Sequence, residues 1–283
     1  MDQNRLTTLL FQTEALKVSP EDQPFWYTSG KMGPFYINTH YLYGGAESAQ
    51  ALLGKIDEEK QDPAALTAML LVETTDQYLS EPVYRELCDG MADIISRTVD
   101  LSKIDYISGG ERRDWFFSVQ CARLLKKPHL SIFKDLRAVE GFGAGAETVT
   151  DLDGGRCLHI ADLITEASSY ERAWIPAIHA LRGRLVQTFV VVDRQQGGMA
   201  LLRHLGVEAH AMIGIDDHLF EKAFAQKRID KGQLQLLQAY TADPDRAVRE
   251  FLKRHDGFIE HTIAAGGKNA ERAKLCLEKG FYR

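Results

Sequence analysis

The spacing of apolar and polar residues changes twice along the chain. Residues 2–16 have the spacing of an amphipathic helix. Residues 25–45 are rich in aromatic and β-branched residues around two glycine-containing turns, which predicts a hairpin-like segment. Residues 47–99 are helical in pattern, with helix starts predicted at Asp62-Pro63 and Glu81-Pro82 because proline is tolerated in a first turn.

Residues 104–212 alternate short apolar runs with helical stretches. The runs predicted as strands are residues 104–108, 129–133, 156–161, 184–193 and 207–214. The stretches predicted as helices between them are residues 114–127, 170–183 and 197–206. Strands that alternate with helices predict an α/β fold with a mostly parallel sheet, which binds ligands beyond the carboxyl ends of its strands. From Asp216 onward the pattern predicts several short helices with a break at Gly266-Gly267.

Composition narrows the class of protein. A chain of 283 residues, 45% of them hydrophobic, can bury a sizeable core in one large domain with additions or in two small domains. The net charge of -6 argues against a general nucleic-acid surface or a polybasic membrane face. The first residues lack the pattern of a signal peptide, and no stretch approaches the roughly 20 apolar residues of a spanning helix. We therefore expect a cytoplasmic protein that binds neither nucleic acid nor membranes.

The cysteines give no sign of a metal centre or of disulfides. The chain has 4 cysteines, which lie far apart and form no CxxC pair. We predict that they are reduced thiols, mostly in the core.

Three loops follow the first three predicted strands and face the expected binding crevice. They are SGGERRD at 108–114, KDLRAVEGFGAGAETVTD at 134–151 and DLITEASS at 162–169. Backbone N–H groups at such strand-to-helix turns favour anions, arginine suits phosphate, and the glycines of the second loop are typical of a mobile flap. Each loop also has a plainer interpretation: a solvated turn with local ion pairs, a surface loop with incidental charge, and a helix capped by Ser168 or Ser169.

Six segments in order resemble the orotate phosphoribosyltransferases of the type I phosphoribosyltransferase superfamily. They are ALKVS (15–19), SGKMGPFYIN (29–38), SGGERRD, FKDLR (133–137), HIADLITEASS (159–169) and VVVDRQQGG (190–198). The resemblance covers roughly residues 12–45 and 103–214. It implies a mostly parallel sheet flanked by helices, divided into a hood-like base-binding segment (1–45), a helical insertion (46–102), the α/β core (103–214) and a helical C-terminal extension (215–283).

The resemblance also implies an activity. Members transfer a phosphoribosyl group from phosphoribosyl pyrophosphate (PRPP) to a base and release pyrophosphate. The substrates expected here are PRPP and orotate or a related pyrimidine-type base, with Mg²⁺ accompanying PRPP and no certain metal ligand in the chain. Because the family's catalytic loop commonly works across a dimer interface, the resemblance implies a homodimer.

Site residues carry over from the matching motifs. The catalytic group is Lys134, Arg137 and Asp162. The set that binds PRPP and phosphate is Gly109, Gly110, Arg112, Arg113, Asp162, Thr165, Glu166, Ala167, Ser168 and Ser169. The set that binds the base is Lys17, Phe35, Tyr36, Asp193 and Arg194.

The phosphate loop departs from the family pattern at three positions. Ala161 replaces one of two adjacent acids, Ala167 replaces the usual glycine, and Glu166 adds a negative charge. A carboxylate about 4 Å from a phosphate charge would cost about 4 kcal/mol at an effective dielectric constant of about 20. Glu166 must therefore point away, be neutralised by an arginine, or mark a loop that no longer holds phosphate. The alternative to an enzyme is a noncatalytic homologue that binds a nucleotide, a sugar phosphate or a protein partner.

Overall fold

The structure is a computed structural model that describes residues 1–282. Contacts between residues divide the chain into two compact units. The first, here called the core unit, contains residues 1–15 and 39–215. The other, called the second unit, contains residues 16–38 and the chain from Asp216 onward.

The strands and helices follow the predicted pattern closely. The strands are β1 (Leu16–Val18), β2 (Phe25–Trp26), β3 (Met32–Gly33), β4 (Phe35–Ile37), β5 (Tyr106–Gly110), β6 (His129–Ile132), β7 (Ala138–Glu140), β8 (Glu147–Thr148), β9 (Arg156–Ile164), β10 (Arg184–Asp193) and β11 (Glu208–Gly214). The α-helices are α1 (Gln3–Gln12), α2 (Ala46–Glu59), α3 (Pro63–Ser80), α4 (Pro82–Thr98), α5 (Trp115–Leu125), α6 (Ile175–Ala180), α7 (Gly198–His204), α8 (Asp217–Ala225), α9 (Lys231–Ala242), α10 (Pro244–Arg254), α11 (Phe258–Ala265) and α12 (Gly267–Glu278).

A seven-stranded sheet forms the centre of the core unit, in the order β11-β10-β9-β5-β6-β7-β8. The strands from β11 to β6 are parallel, whereas β7 and β8 add antiparallel pairs at one edge. The mostly parallel α/β sheet is thus confirmed. Because β5 and β9 pair directly, with Ser108 opposite His159, the loops that follow these two strands are neighbours.

The helices over residues 46–98 belong to the core unit. Pro63 and Pro82 occupy first turns, and the side chains of Asp62 and Glu81 accept hydrogen bonds from N–H groups of those turns. Helices α3 and α4 both pack against α5, which follows β5. The helical pattern and its two proline starts are therefore confirmed, and these helices support the element that leads out of the first loop.

The loop after β6 forms a turn and then joins the sheet. Leu136 has a left-handed backbone, with φ 72°, and Phe133 N–H donates to the Arg137 carbonyl, so that β7 returns antiparallel to β6. The glycine-rich stretch continues into β8 at the sheet edge. The segment interpreted as a flap therefore contains two short strands, β7 and β8, at the sheet edge.

The second unit combines the N-terminal strands with the C-terminal helices. Strand β1 pairs with β4 and β2 with β3, both antiparallel, as the hairpin-like pattern predicts. Trp26 and Met32 share an apolar cluster with Val248, Ala273 and Cys276. The contact division therefore differs from the four consecutive segments described from the sequence, because strands from the first segment pack with the tail.

Two further expectations concern the cysteines and the helices. Cys88, Cys121, Cys157 and Cys276 are buried free thiols, as predicted. Along residues 1–282, every helix falls short of the length or the apolar character needed to cross a bilayer.

Candidate functional site

A cavity of about 280 Å³ lies in the core unit where β5 and β9 end. Its walls come from residues 111–114, Lys134, residues 161–165, residues 167–170 and Trp174. The first and third predicted loops therefore meet at one cavity, and the second loop contributes Lys134. This is the edge of a parallel sheet at which ligands are expected.

The loop over residues 165–169 has the shape of an anion cradle. Ala167 adopts a left-handed backbone, with φ 58°, and its carbonyl accepts hydrogen bonds from the N–H groups of Tyr170 and Glu171. Within residues 1–282, no acceptor bonds the backbone N–H groups of residues 166–169. Together with the hydroxyls of Thr165, Ser168 and Ser169 on the wall, these amides suit a phosphate.

The plainer interpretation of this loop was an ordinary helix cap. Ser169 occupies the N-cap position of the π-helical turn Tyr170–Trp174, yet its side chain makes no capping hydrogen bond. Ser168 is exposed and lines the cavity. The hydroxyls of both residues are therefore available to a ligand.

Glu166 lies beside the cavity but not on its wall. The residue is exposed and is not among those that form the cavity wall, although Thr165 and Ala167 on either side are. This placement agrees with the first of the three alternatives for Glu166, a side chain that points away from the phosphate loop.

The two arginines of the loop after β5 have different surroundings. Arg113 is exposed on the cavity wall. Arg112 also lines the cavity, but its guanidinium pairs with Asp57 of α2, which offsets its charge. Glu111 accepts a hydrogen bond at 3.0 Å from Lys134 N–H, so it links the first loop to the second.

Gly109 and Gly110 are required by packing. A Cβ atom at position 109 would lie 2.0 Å from Ser118 Oγ, and one at position 110 would lie 2.2 Å from the Trp174 ring. Neither glycine lines the cavity. Both positions therefore need glycine because a neighbouring side chain packs directly against the backbone.

The two basic residues of the second loop have different surroundings. Lys134 is exposed and lines the cavity. Arg137 donates to Asp135 at 2.7 Å, and its guanidinium lies 5.4 Å from the Phe133 ring centroid. Arg137 is not on the cavity wall. Only one member of the predicted basic pair is therefore brought to the cavity.

Asp162 lies on the wall in contact with a second acid that sequence reasoning did not single out. Asp114 Oδ1 accepts a hydrogen bond from Asp162 N–H at 3.1 Å, and Asp114 Oδ2 lies 3.3 Å from His159 Nε2. Burial and the Asp114 carboxylate raise the pKa of Asp162, and Arg113 opposes this shift. The sequence signals for these two residues were the aspartate that ends SGGERRD, which is Asp114, and the histidine inside the apolar run RCLHIA, which is His159.

The predicted base-binding residues lie outside this cavity. Asp193 Oδ1 accepts from Gln195 N–H at 2.7 Å, and Arg194 N–H donates to the Ile164 carbonyl at 2.9 Å. Lys17, Phe35 and Tyr36 belong to the second unit. There, Phe35 is buried beside Phe220 and Tyr240, Tyr36 Oη donates to the Trp26 carbonyl at 2.6 Å, and Lys17 is exposed on β1.

Comparison with known proteins gives a consistent picture. No family profile matches the chain. The orotate phosphoribosyltransferase of Saccharolobus solfataricus is 28% identical over 158 residues, which cover 55% of this chain and 77% of that protein.

Solved structures show the same fold. The UMP synthase of Leishmania donovani aligns with a TM-score of 0.57 and 18% identity over 84% of this chain, which spans only 42% of that longer chain. The orotate phosphoribosyltransferase of Francisella tularensis aligns with a TM-score of 0.52 and 14% identity over 83% of this chain and 96% of that one. The chain thus has the fold of the type I phosphoribosyltransferases, and in sequence it resembles their orotate branch.

Proposed function

We propose that this protein transfers a phosphoribosyl group from PRPP to orotate or a related pyrimidine-type base and releases pyrophosphate. The observation that carries the proposal is the cavity itself. It places Thr165, Ala167, Ser168 and Ser169 on one wall with Arg113 and Lys134, at the carboxyl ends of parallel strands. An anion-binding loop and cationic side chains are the features required by a donor that carries a 5-phosphate and a pyrophosphate.

The chemistry assigns a role to each side of the cavity. In such a transfer the bond from the anomeric carbon to the pyrophosphate oxygen breaks, and a bond to the base nitrogen forms through an oxocarbenium-like state. Residues 165–169 would bind the 5-phosphate, and Arg113 and Lys134 would stabilise the charge that develops on pyrophosphate. Asp162 would face the ribose. Arg137 is proposed to act only if its contact with Asp135 opens.

Mg²⁺ enters the proposal as a companion of PRPP. Among residues 1–282 no group of three or more histidine, cysteine, aspartate or glutamate side chains could hold a metal ion. Mg²⁺ is usually bound largely by substrate phosphates, so the ion would enter the cavity with PRPP. No step is derived through the metal.

The acceptor end and the assembly remain proposals from the resemblance. Lys17, Phe35, Tyr36, Asp193 and Arg194 are proposed to recognise the base, and the protein is proposed to be a homodimer. Light scattering at micromolar concentration that gives the mass of a single chain would contradict the dimer.

One observation favours the alternative of a noncatalytic homologue. Ala161 lies on the cavity wall where the family pattern has an acid, so the loop itself presents only one carboxyl group. A cavity that binds a phosphorylated ligand without transferring it needs only the phosphate cradle and the cations.

Calorimetric titration with PRPP, with and without Mg²⁺, tests the proposal. We expect saturable binding that Arg113→Gln weakens by about tenfold or more, because a charge-assisted hydrogen bond contributes about 1.5–3 kcal/mol. Arg97→Gln is the matched control, since Arg97 is an exposed residue of α4 that pairs with Asp93. Pyrophosphate release in the presence of PRPP and orotate would then identify turnover.

Two outcomes separate the alternatives. Failure to bind PRPP at millimolar concentration would reject the transferase. Binding that depends on Arg113, but with no release of pyrophosphate for any pyrimidine-type base, would favour the noncatalytic homologue.

A further inference from the structure

Asp114 connects the two loops that form the cavity. Its side chain is 11% exposed and stands at the N-terminus of α5. Oδ1 accepts from Asp162 N–H at 3.1 Å, at the end of β9, while Oδ2 accepts from Gly110 N–H at 3.2 Å, at the end of β5. One carboxylate therefore fixes the spacing between both loops.

The buried side chain of His159 contacts this carboxylate. The imidazole is fully buried, with Nε2 3.3 Å from Asp114 Oδ2 and Nδ1 3.0 Å from Ser108 Oγ. Its ring lies nearly parallel to the Trp174 indole, at 25° and 5.9 Å, and meets the Tyr170 ring edge-on at 5.2 Å. If Ser108 donates to Nδ1, Nε2–H is left to donate to Asp114. The histidine can then hold the carboxylate without being charged.

Asp114 and Asp162 are neighbouring acids in a buried place. Each residue is 8% exposed, and the Asp114 carboxylate accepts from the backbone N–H of Asp162 at 3.1 Å. Two carboxylates that share a site shielded from water cannot readily both ionise. The other ionisable groups that face the pair from surrounding elements are Arg113, Glu111, Lys134, His159 and Tyr170.

We propose that Asp114, oriented by His159, is a positioning residue that fixes the carboxyl group of Asp162 on the cavity wall and shares one proton with it at neutral pH. The pair then carries one negative charge instead of two, which reduces repulsion of an anionic ligand. Asp114 thus places a carboxyl group from the loop after β5 beside that of Asp162, although position 161 is alanine. The consequence for ligand binding rests on the proposed function, but the shared proton does not.

Carbon-13 NMR of aspartate-labelled protein tests the shared proton without any ligand. Asp162 is assigned by its loss in Asp162→Asn. An ordinary aspartate titrates at about pH 4, and we expect the carboxyl carbon of Asp162 to titrate at a higher pH. The midpoint of this titration should fall in Asp114→Asn, because a neighbouring negative charge is removed. Asp89→Asn is the control, since Asp89 is an exposed residue that bonds Tyr78 on α3.

The outcomes of this titration are distinct. An ordinary midpoint for Asp162 in the wild type, or an unchanged midpoint in Asp114→Asn, would overturn the proposal. If Asp114→Asn does not fold, His159→Gln replaces it, because glutamine keeps a donor but loosens the orientation of Asp114. A midpoint unaffected by His159→Gln would remove His159 from the positioning role.

Calorimetry over a range of pH measures the effect on the ligand. We expect PRPP affinity to fall as the pH rises and the pair of Asp114 and Asp162 releases its shared proton. In Asp114→Asn, this loss of affinity should begin at a lower pH. Asp162→Asn should abolish this dependence. No PRPP binding in any variant, with the NMR midpoints as expected, would reject the proposed function and leave the shared proton intact.

A second, independent inference concerns the second unit. A cavity of about 370 Å³ lies between β2 and the helices α11 and α12, a size typical of small-molecule sites. Its walls include Phe25 and Tyr36, whose ring centroids are 4.9 Å apart, and the nearly parallel rings of Trp26 and Phe258.

Two hydrogen-bond donors at this cavity lack a full set of partners. Arg272 Nη1 donates to the Trp26 carbonyl at 2.7 Å and lies 3.4 Å from Tyr36 Oη, but no carboxylate of residues 1–282 pairs with its guanidinium. Trp26 Nε1 is buried and finds no acceptor among residues 1–282. A buried donor without an acceptor is costly unless a ligand accepts from it, and the half-buried guanidinium of Arg272 keeps N–H groups available to a ligand.

We infer that this cavity binds a small planar aromatic carboxylate. The aromatic walls would contact its ring, and the remaining N–H groups of Arg272 would bind its carboxylate. Arg272 comes from the tail, for which the resemblance offers no counterpart.

Benzoate and its uncharged analogue benzamide are suitable probes, with binding followed by calorimetry and tryptophan fluorescence. We expect benzoate to bind saturably and benzamide to bind at least about tenfold more weakly. In Arg272→Gln, the affinity for benzoate should fall by the same factor. Lys274→Gln, an exposed position on the same helix, should bind as the wild type does. Equal affinity for the two probes, or no saturation at millimolar benzoate, would overturn the inference.

Discussion

At the scale of single residues, the phosphate loop keeps a glycine-like conformation although it lacks the glycine. Ala167 has φ 58°, a region that costs roughly 1–2 kcal/mol for a residue with a side chain. The neighbouring Glu166 is exposed and off the cavity wall. Two of the three departures from the family pattern, at Ala167 and Glu166, therefore leave the backbone of the loop glycine-like and its cavity wall without an added carboxylate.

Glu166→Gln tests this reading of the loop. We expect the affinity for PRPP to change by less than about twofold, since a side chain that points into solvent is screened from the ligand. Calorimetry at two salt concentrations measures it. Arg113→Gln provides the contrast, and a large gain in affinity for Glu166→Gln would show that the carboxylate reaches the cavity after all.

His129 makes stability depend on pH. The ring is buried between Ser118 Oγ and Ser131 Oγ, and burial lowers its pKa to about 3. The unfolded chain, with a histidine pKa near 6.5, therefore binds a proton that the folded protein does not, and stability falls as pH drops from about 6.5 toward about 3. By pH 5 the loss from this group is about 2 kcal/mol.

Urea unfolding at pH 7 and pH 5 measures this contribution. In His129→Gln the amide can still bond both serine hydroxyls but does not titrate, so the difference between the two pH values should shrink. An equal difference in variant and wild type would assign the acid sensitivity to other groups.

At the scale of elements, the ends of β5 and β9 are fixed by what packs behind them. Helix α5 approaches β5 through Ser118 against Gly109, and the π-helical turn Tyr170–Trp174 approaches it through Trp174 against Gly110. These close contacts fix the position of the strand end from which the loop at the cavity begins. The sequence pattern located the glycines, but packing gives the reason for them.

Gly110→Ala should destabilise the protein by about 1–3 kcal/mol, because the added methyl overlaps the Trp174 ring. Denaturant unfolding of Gly110→Ala, Trp174→Leu and the double variant measures the coupling, and the smaller leucine should relieve most of the cost. Gly54→Ala is the control, since its methyl group would meet nothing within 4 Å and alanine favours the helix. Additive effects at 110 and 174 would contradict the contact.

At the scale of the whole molecule, segments far apart in sequence build one unit. Gln233 Nε2 donates to the Ser19 carbonyl, Tyr282 Oη accepts from Met32 N–H, and Arg272 bonds the Trp26 carbonyl. The tail is therefore the partner of the N-terminal strands.

Truncation after Ile215 should expose the apolar cluster around Trp26 and Met32. We expect stronger binding of a hydrophobic dye and red-shifted tryptophan emission, because these side chains lose Val248, Ala273 and Cys276. Supplying residues 216–283 as a separate fragment should reverse both changes. A truncated protein with unchanged emission and dye binding would show that residues 16–38 are stable without the tail.

The sequence by itself determined the elements and much of the cavity. Apolar periodicity located β5, β6, β9, β10 and β11, prolines marked the starts of α3 and α4, and the motifs placed Arg113, Lys134 and residues 165–169 on loops that meet. These features are local, because they depend on periods and turns within a few residues. The side of the loop to which Glu166 points, the pairing of Arg112 with Asp57, and the network of Asp114, Asp162 and His159 were decided only by tertiary structure. They depend on which charges and hydroxyls from distant segments come within hydrogen-bond reach, and no local pattern specifies that.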